Sequence, residues 1–231
     1  VLSRRPLKAL GDWRAATHTP PSWPANYPTD YAKVAKRVPE LRRAYCKIPW
    51  AHLYEYPKCV ASIAVEREFE GENIVLVGRI KDPAIKTLQE ITALIRRMRE
   101  VPVDKYKDFC QALKVTRLPW PLRKLLWWLG MNIGRQRANF FGTFGVSVYS
   151  SLGAESLHPI SPATTTLNYG VISPEGDVNV RIVYDHRVLD GATVARVLAK
   201  LEAVLRGEIL TELRNGASAK TNSETVYNRV A

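Results

Sequence analysis

Apolar and polar positions change period several times along the chain, and each change marks an element. Val178, Val180, Ile182 and Tyr184 alternate with polar residues, which predicts a strand with one buried face. After Gly191 the period lengthens: Val194, Val197, Leu198, Leu201, Val204 and Leu205 lie on one face of a predicted helix, with Gly207 as its stop. Upstream, a strand is read within Tyr54 to Arg67, carried by the small and branched run Cys59 to Val65. Asn73 to Ile80 makes the second arm of a hairpin turning at Glu70-Gly71-Glu72. Thr87-Leu-Gln-Glu90 has the form of a capping box, and Leu88, Ile91, Leu94, Ile95 and Met98 follow at helical spacing. Asp30 is read as the cap of a helix from Tyr31 to Val38, ended or kinked by Pro39. Gly142 to Val148 and Thr164 to Ile172 are predicted strands, and Pro174 to Asp177 a hairpin turn. Together these give an α/β fold, a mixed sheet with helices packed on one face, as a single domain over residues 30–210. Residues 1–29, rich in Pro and Trp, read as an irregular lead-in. Residues 211–231 read as a polar, disordered tail.

Composition adds bounds. With 231 residues, 46% hydrophobic and 24% charged, the chain has the make-up of one globular domain. It has no run of about 18 apolar residues and no apolar core in its first fifteen, so neither a membrane span nor a signal peptide is predicted. Three cysteines, without disulfide or metal spacing, read as reduced thiols of a cytoplasmic protein. The net charge of +12 suits an anionic partner. No nucleic-acid motif accompanies the scattered basic residues, so a phosphate-bearing carrier such as coenzyme A fits better than RNA or DNA. Leu118 to Leu129 is apolar and aromatic with basic flanks. It reads either as a helix packed on the body or another subunit, which is the expectation adopted, or as a patch for peripheral membrane contact.

Candidate chemistry concentrates at the end of the alternating strand, where His186, Asp190 and Gly191 form an H-x-x-x-D-G pattern in a strand-to-helix loop. Histidine is the side chain best suited to accept a proton near neutral pH. Asp190 is expected to hold the loop by pairing with an arginine or a backbone amide, and Gly191 to allow a tight turn. A purely structural histidine is the alternative. His18, His52 and His158 have no ligand-spaced partners, so no metal site is predicted.

Asp185-His-Arg-Val-Leu-Asp-Gly191 resembles the D-H-R-x-x-D-G signature of the dihydrolipoamide acyltransferases. These are the catalytic domains of the 2-oxo acid dehydrogenase complexes, related in fold to chloramphenicol acetyltransferase. Gly142-Thr-Phe-Gly-Val-Ser147 is similar to that family's G-T-F-T-I-S strand, with Gly145 in place of a Thr. Leu157-His-Pro-Ile160, Ile74 to Asp82, Thr87 to Ile91 and Pro39-Glu-Leu41 match further segments, so the likeness spans about residues 30–210. It implies a chloramphenicol-acetyltransferase-like fold. It also implies acyl transfer between a thioester, of coenzyme A or a carrier, and a thiol, alcohol or amine. His186 would be the general base, Ser147 would donate to the oxyanion, and Asp190 would support the loop. The resemblance further implies a homotrimer with His186 and Ser147 contributed by different subunits.

The chain departs from the family in three ways. It shows no lipoyl domain, it lacks the R-x-x-I-A-x-x-M segment, and it carries a Trp-rich insertion within residues 109–140. A hydrolase using Ser147, His186 and Asp190 is disfavoured, because Ser147 lacks the G-x-S-x-G elbow. The non-enzymatic alternative is a trimeric scaffold or interaction protein that kept the fold.

Overall fold

The computed structural model describes residues 2–6, 23–147, 159–173, 177–209 and 211. The expectations for the tail beyond Thr211, for His18 and His158, and for the turn at Pro174 lie outside these residues.

The core is a six-stranded sheet in the order β1 (Leu2–Pro6), β8 (Asp177–Tyr184), β7 (Thr165–Ile172), β6 (Phe144–Ser147), β4 (Val60–Phe69), β5 (Glu72–Lys81). The centre is parallel, β4 to β6 and β6 to β7, and the flanking pairs are antiparallel. The β4–β5 hairpin turns through Glu70 (φ 54°) and Gly71 (φ 83°), two left-handed residues whose twist matches the strands they join. The predicted run Cys59 to Val65 enters β4 at Val60, while Tyr54, at the head of that stretch, belongs to an earlier strand. β3 (His52–Glu55) pairs with β2 (Arg43–Cys46) in a separate hairpin, and the chain passes Pro57, which cannot donate to a ladder, before entering β4.

Three helices pack together on the sheet: α1 (Trp23–Arg37), α2 (Leu88–Glu100) and the C-terminal α6 (Gly191–Val204). α2 begins with the complete capping box, Thr87 accepting from the Glu90 amide and Glu90 accepting from that of Thr87. It buries Leu88, Ile91, Ile95 and Met98. α6 buries the predicted face, Val194 through Val204. α3 (Lys107–Thr116) lies along β5, where Asp108 accepts from both the Arg79 amide and its guanidinium. Two more helices, α4 (Trp120–Asn132) and α5 (Gly134–Phe141), lead directly into β6.

The N-terminal reading is corrected. α1 starts at Trp23, eight residues before the predicted Tyr31, and Asp30 is a fully buried interior residue rather than a cap. Pro24 and Pro28 suggested an irregular lead-in, but proline is tolerated in a first turn, and tertiary packing outweighs the one bond lost at Pro28. Tyr27 stacks on Tyr169 at 3.9 Å and Tyr31 on Phe144 at 4.2 Å, while the Tyr31 hydroxyl bonds Thr165 Oγ1 at 2.6 Å. Burial pushes the Asp30 carboxyl well above the usual carboxylate range. The lead-in also supplies an edge strand, Leu2–Pro6, paired along β8.

The three cysteines are free. Burial pushes the Cys59 thiol up to about 11 and raises that of Cys46, which keeps both protonated and unreactive near neutral pH.

Candidate active site

β8 ends at Tyr184, and the chain crosses to α6 through Asp185–Asp190. The crossing is tied at each step. The Asp185 amide donates to the Thr164 carbonyl at 2.9 Å. Asp185 Oδ1 accepts from the Arg187 amide at 3.0 Å, and the Arg187 guanidinium donates to both carboxylate oxygens, Nη2 reaching Oδ2 at 2.6 Å. This fork holds the Asp185 carboxyl below the usual carboxylate range. The Arg187 guanidinium also sits 4.6 Å above the Tyr45 ring, which couples the loop to the β2–β3 hairpin.

Of the two partners considered for Asp190, the structure gives the backbone amide. Asp190 is the N-cap of α6 and accepts from the Thr193 amide at 2.6 Å, which lowers its carboxyl pKa. The expectation for Gly191 is corrected. Its φ lies outside the left-handed range, and an added Cβ would meet only the Tyr184 hydroxyl, at an ordinary 3.4 Å. The turn therefore does not require glycine.

His186 is exposed in the middle of this fixed loop. Its Nε2 lies 3.1 Å from the Tyr184 hydroxyl, and the two rings are 4.8 Å apart. Tyr184 is thus a partner that the sequence showed only as one more position of an alternating strand. Arg137, predicted only as one of many scattered basic residues, is another. It is 4% exposed and clamps two carbonyls, donating to Tyr45 at 2.8 Å and to Pro162 through Nε and Nη2. It fixes the hairpin on which Arg187 rests.

Ser147 ends β6 and is buried. Its carbonyl accepts from Asn168 Nδ2 at 2.8 Å, a tie absent from any motif. Gly145, which departs from the family's Thr, is explained by its surroundings. A Cβ there would come within 3.2 Å of Thr166 Oγ1 and 3.3 Å of Ser161 Oγ, so neighbouring side chains already fill the space.

The sheet register separates the two candidate residues within one chain. Ser147 is level with Asn168, whereas Tyr184 is level with Thr165, and Asp185 bonds one step further on at Thr164. At about 3.3 Å per residue, the start of the His186 loop at Asp185 is offset from Ser147 by about 13 Å along the strands, with β7 lying between β8 and β6. One chain does not bring them together. His52, the other described histidine outside the motif, bonds the Trp50 carbonyl at 2.7 Å. No cluster of three or more metal-ligating side chains occurs among the described residues.

A consequence for Asp185 can be measured. Its depressed folded pKa means the fork is intact above about 3.9, the unfolded value, and is lost as pH falls through the folded value. Asp185→Asn is expected to remove this acid sensitivity in urea unfolding between pH 2 and 6. An unchanged acid sensitivity in the variant would show that the fork contributes none of it.

No family model matches the sequence, and no curated protein matches it. Solved structures do match. The dihydrolipoamide acetyltransferase of Azotobacter vinelandii, studied for the roles of a serine, a histidine and an asparagine in its catalytic mechanism, aligns at 17% identity and a TM-score of 0.65. That alignment covers 92% of this chain and 82% of the other. The cubic core of a pyruvate dehydrogenase multienzyme complex aligns at 16% identity and a TM-score of 0.62, with the same coverages of 92% and 82%. Chloramphenicol acetyltransferase aligns at 15% identity and a TM-score of 0.53, covering 88% and 86%. The chain thus has the chloramphenicol-acetyltransferase-like fold of the dihydrolipoamide acetyltransferase catalytic cores, a mixed sheet with packed helices.

Proposed function

We propose that the chain is an acyltransferase that moves an acyl group between a thioester, of coenzyme A or a carrier, and an acceptor thiol, alcohol or amine. The observation that carries this reading is the loop. An exposed His186 is held by Tyr184, while both of its sequence neighbours are tied down, Asp185 and Arg187 by a charge-assisted fork. A structural histidine has no need of solvent exposure, whereas a general base must reach its substrate.

In the proposed reaction the acceptor exchanges with the Tyr184 phenol at the imidazole and gives its proton to His186. The resulting thiolate, alkoxide or amine attacks the thioester carbonyl carbon. The Ser147 hydroxyl donates to the oxyanion of the tetrahedral intermediate. Collapse breaks the carbon–sulfur bond, and the leaving thiolate recovers the proton from the imidazolium. No acyl-enzyme forms. Asp190 acts by fixing the start of α6 and carries no proton. Because the register keeps Ser147 and His186 apart, the working site is assigned to the boundary between subunits of a homotrimer. The cubic core and the acetyltransferases that share the fold support both the reaction class and the assembly. Where a mechanistic asparagine is named for the Azotobacter protein, four positions after its histidine, this chain has Asp190 four positions after His186.

The test is release of free thiol from acetyl-coenzyme A with a panel of thiol, alcohol and amine acceptors. Wild type is expected to release thiol with at least one of them, and His186→Ala to lose that release. Equal rates for both proteins with every acceptor would leave a non-catalytic scaffold.

A further inference from the structure

Helix α4 is the part of the molecule that the acyl-transfer reading leaves unused. The sequence favours a helix packed on the body or on another subunit; within the chain only Gly130 of α4 is buried. Trp120 is 62% exposed and Trp128 50%, and Leu122, Leu125 and Leu126 are exposed beside them. Trp127 packs its edge on Phe141 of α5 yet stays 54% exposed, so the apolar surface of the helix extends to that side as well. At 3.6 residues per turn, Trp128, Leu125, Leu122 and Leu126 occupy one arc of about 160° centred opposite Trp127. Arg123 and Lys124 border that arc on either side.

The charge along the segment that carries it is of one sign. From Phe109 to Ser147 there is no acidic residue, while Lys114, Arg117, Arg123, Lys124 and Arg135 are all exposed. No helix among the described residues is long and apolar enough to cross a membrane. We infer that α4 seats the protein on an anionic lipid surface, with the Trp128–Leu125–Leu122–Leu126 arc at the acyl boundary and the flanking cations at the headgroups. Tryptophan favours that boundary, and lysine and arginine can bury their stems while their charges reach the phosphates. A second copy of the chain is a poorer occupant. Interface cores are depleted of charge, whereas Arg123 and Lys124 stand exposed on both borders of this arc. The inference stands independently of the acyl-transfer reading.

The experiment is co-sedimentation with phosphatidylcholine vesicles and with vesicles containing 30% phosphatidylserine, at low and high salt. Wild type is expected to bind the anionic vesicles and to release from them at high salt. Leu125→Ser with Trp128→Ser, and separately Arg123→Glu with Lys124→Glu, are each expected to weaken binding at least about tenfold while circular dichroism and oligomeric size stay unchanged. Absence of wild-type binding, or equal binding to neutral vesicles, overturns the inference. So does a change of oligomeric size in either variant without a change in vesicle binding, which would make the arc a subunit interface.

Discussion

Alanine at His186 is expected to slow acyl transfer by about 10²–10⁴-fold, the usual contribution of a positioned general base. Alanine at Ser147 is expected to cost about 10²–10³-fold, the usual contribution of one oxyanion donor. The two losses are expected to be mutually reversible. If each site takes its histidine from one subunit and its serine from the next, a site is intact only where a Ser147→Ala chain supplies His186 and a His186→Ala chain supplies Ser147. Purification through both tags leaves only mixed trimers, each with one intact site in three, so differently tagged, co-expressed variants should regain about a third of wild-type activity. The register is the reason to expect this: Ser147 is level with Asn168, whereas His186 lies beyond Asp185, which is level with Thr164. A site formed within one chain would recover nothing, because every chain in the mixture lacks one of the two groups. Recovery near zero from assemblies shown to contain both tags would therefore overturn the assignment of the site to the subunit boundary.

The elements that were legible in the sequence are those whose causes are local. The capping box at Thr87, the alternation through β8 and the long-period apolar face of α6 are each written within a few residues, and the structure shows all three. α1 was read short because its prolines signal a break locally. What sustains it is non-local, the stacking of Tyr27 and Tyr31 on strands more than a hundred residues away. The edge strand Leu2–Pro6 was missed for the same reason, since its pairing reaches Arg181. At the site, the D-H-R-V-L-D-G motif located the loop, and the cap made by Asp190 follows from its place before a helix. Arg137 was invisible among other basic residues, because only folding turns it inward onto Tyr45 and Pro162. The distance between Ser147 and His186 was likewise invisible, being a property of strand register and not of spacing.

Gly142→Ala is expected to destabilise the fold by about 3–5 kcal/mol, from a left-handed backbone and from overpacking together. Gly142 closes α5 with φ 74° and ψ 178°, a conformation that L residues rarely adopt. An added Cβ would sit 2.2 Å from Ser62 Oγ and 2.8 Å from the Val60 carbonyl. Neither neighbour is free to yield. Ser62 Oγ donates to the Phe141 carbonyl at 2.6 Å, and the Val60 carbonyl accepts from the Thr143 amide at 2.8 Å. The contact matters for the site because it sets where β6 enters between β4 and β7, five residues before Ser147. Two controls separate the causes in urea unfolding followed by circular dichroism. Gly71→Ala, at φ 83° with nothing within 4 Å of the new Cβ, should cost only about 1–2 kcal/mol, the conformational part. Adding Ser62→Ala to Gly142→Ala should recover only part of the loss, because the Val60 carbonyl and the left-handed φ remain. If Gly142→Ala unfolds at the same urea concentration as wild type, the close approach of α5 to β4 is not what fixes β6. In that case another tie, such as Asn168 to the Ser147 carbonyl, must hold the serine strand in place.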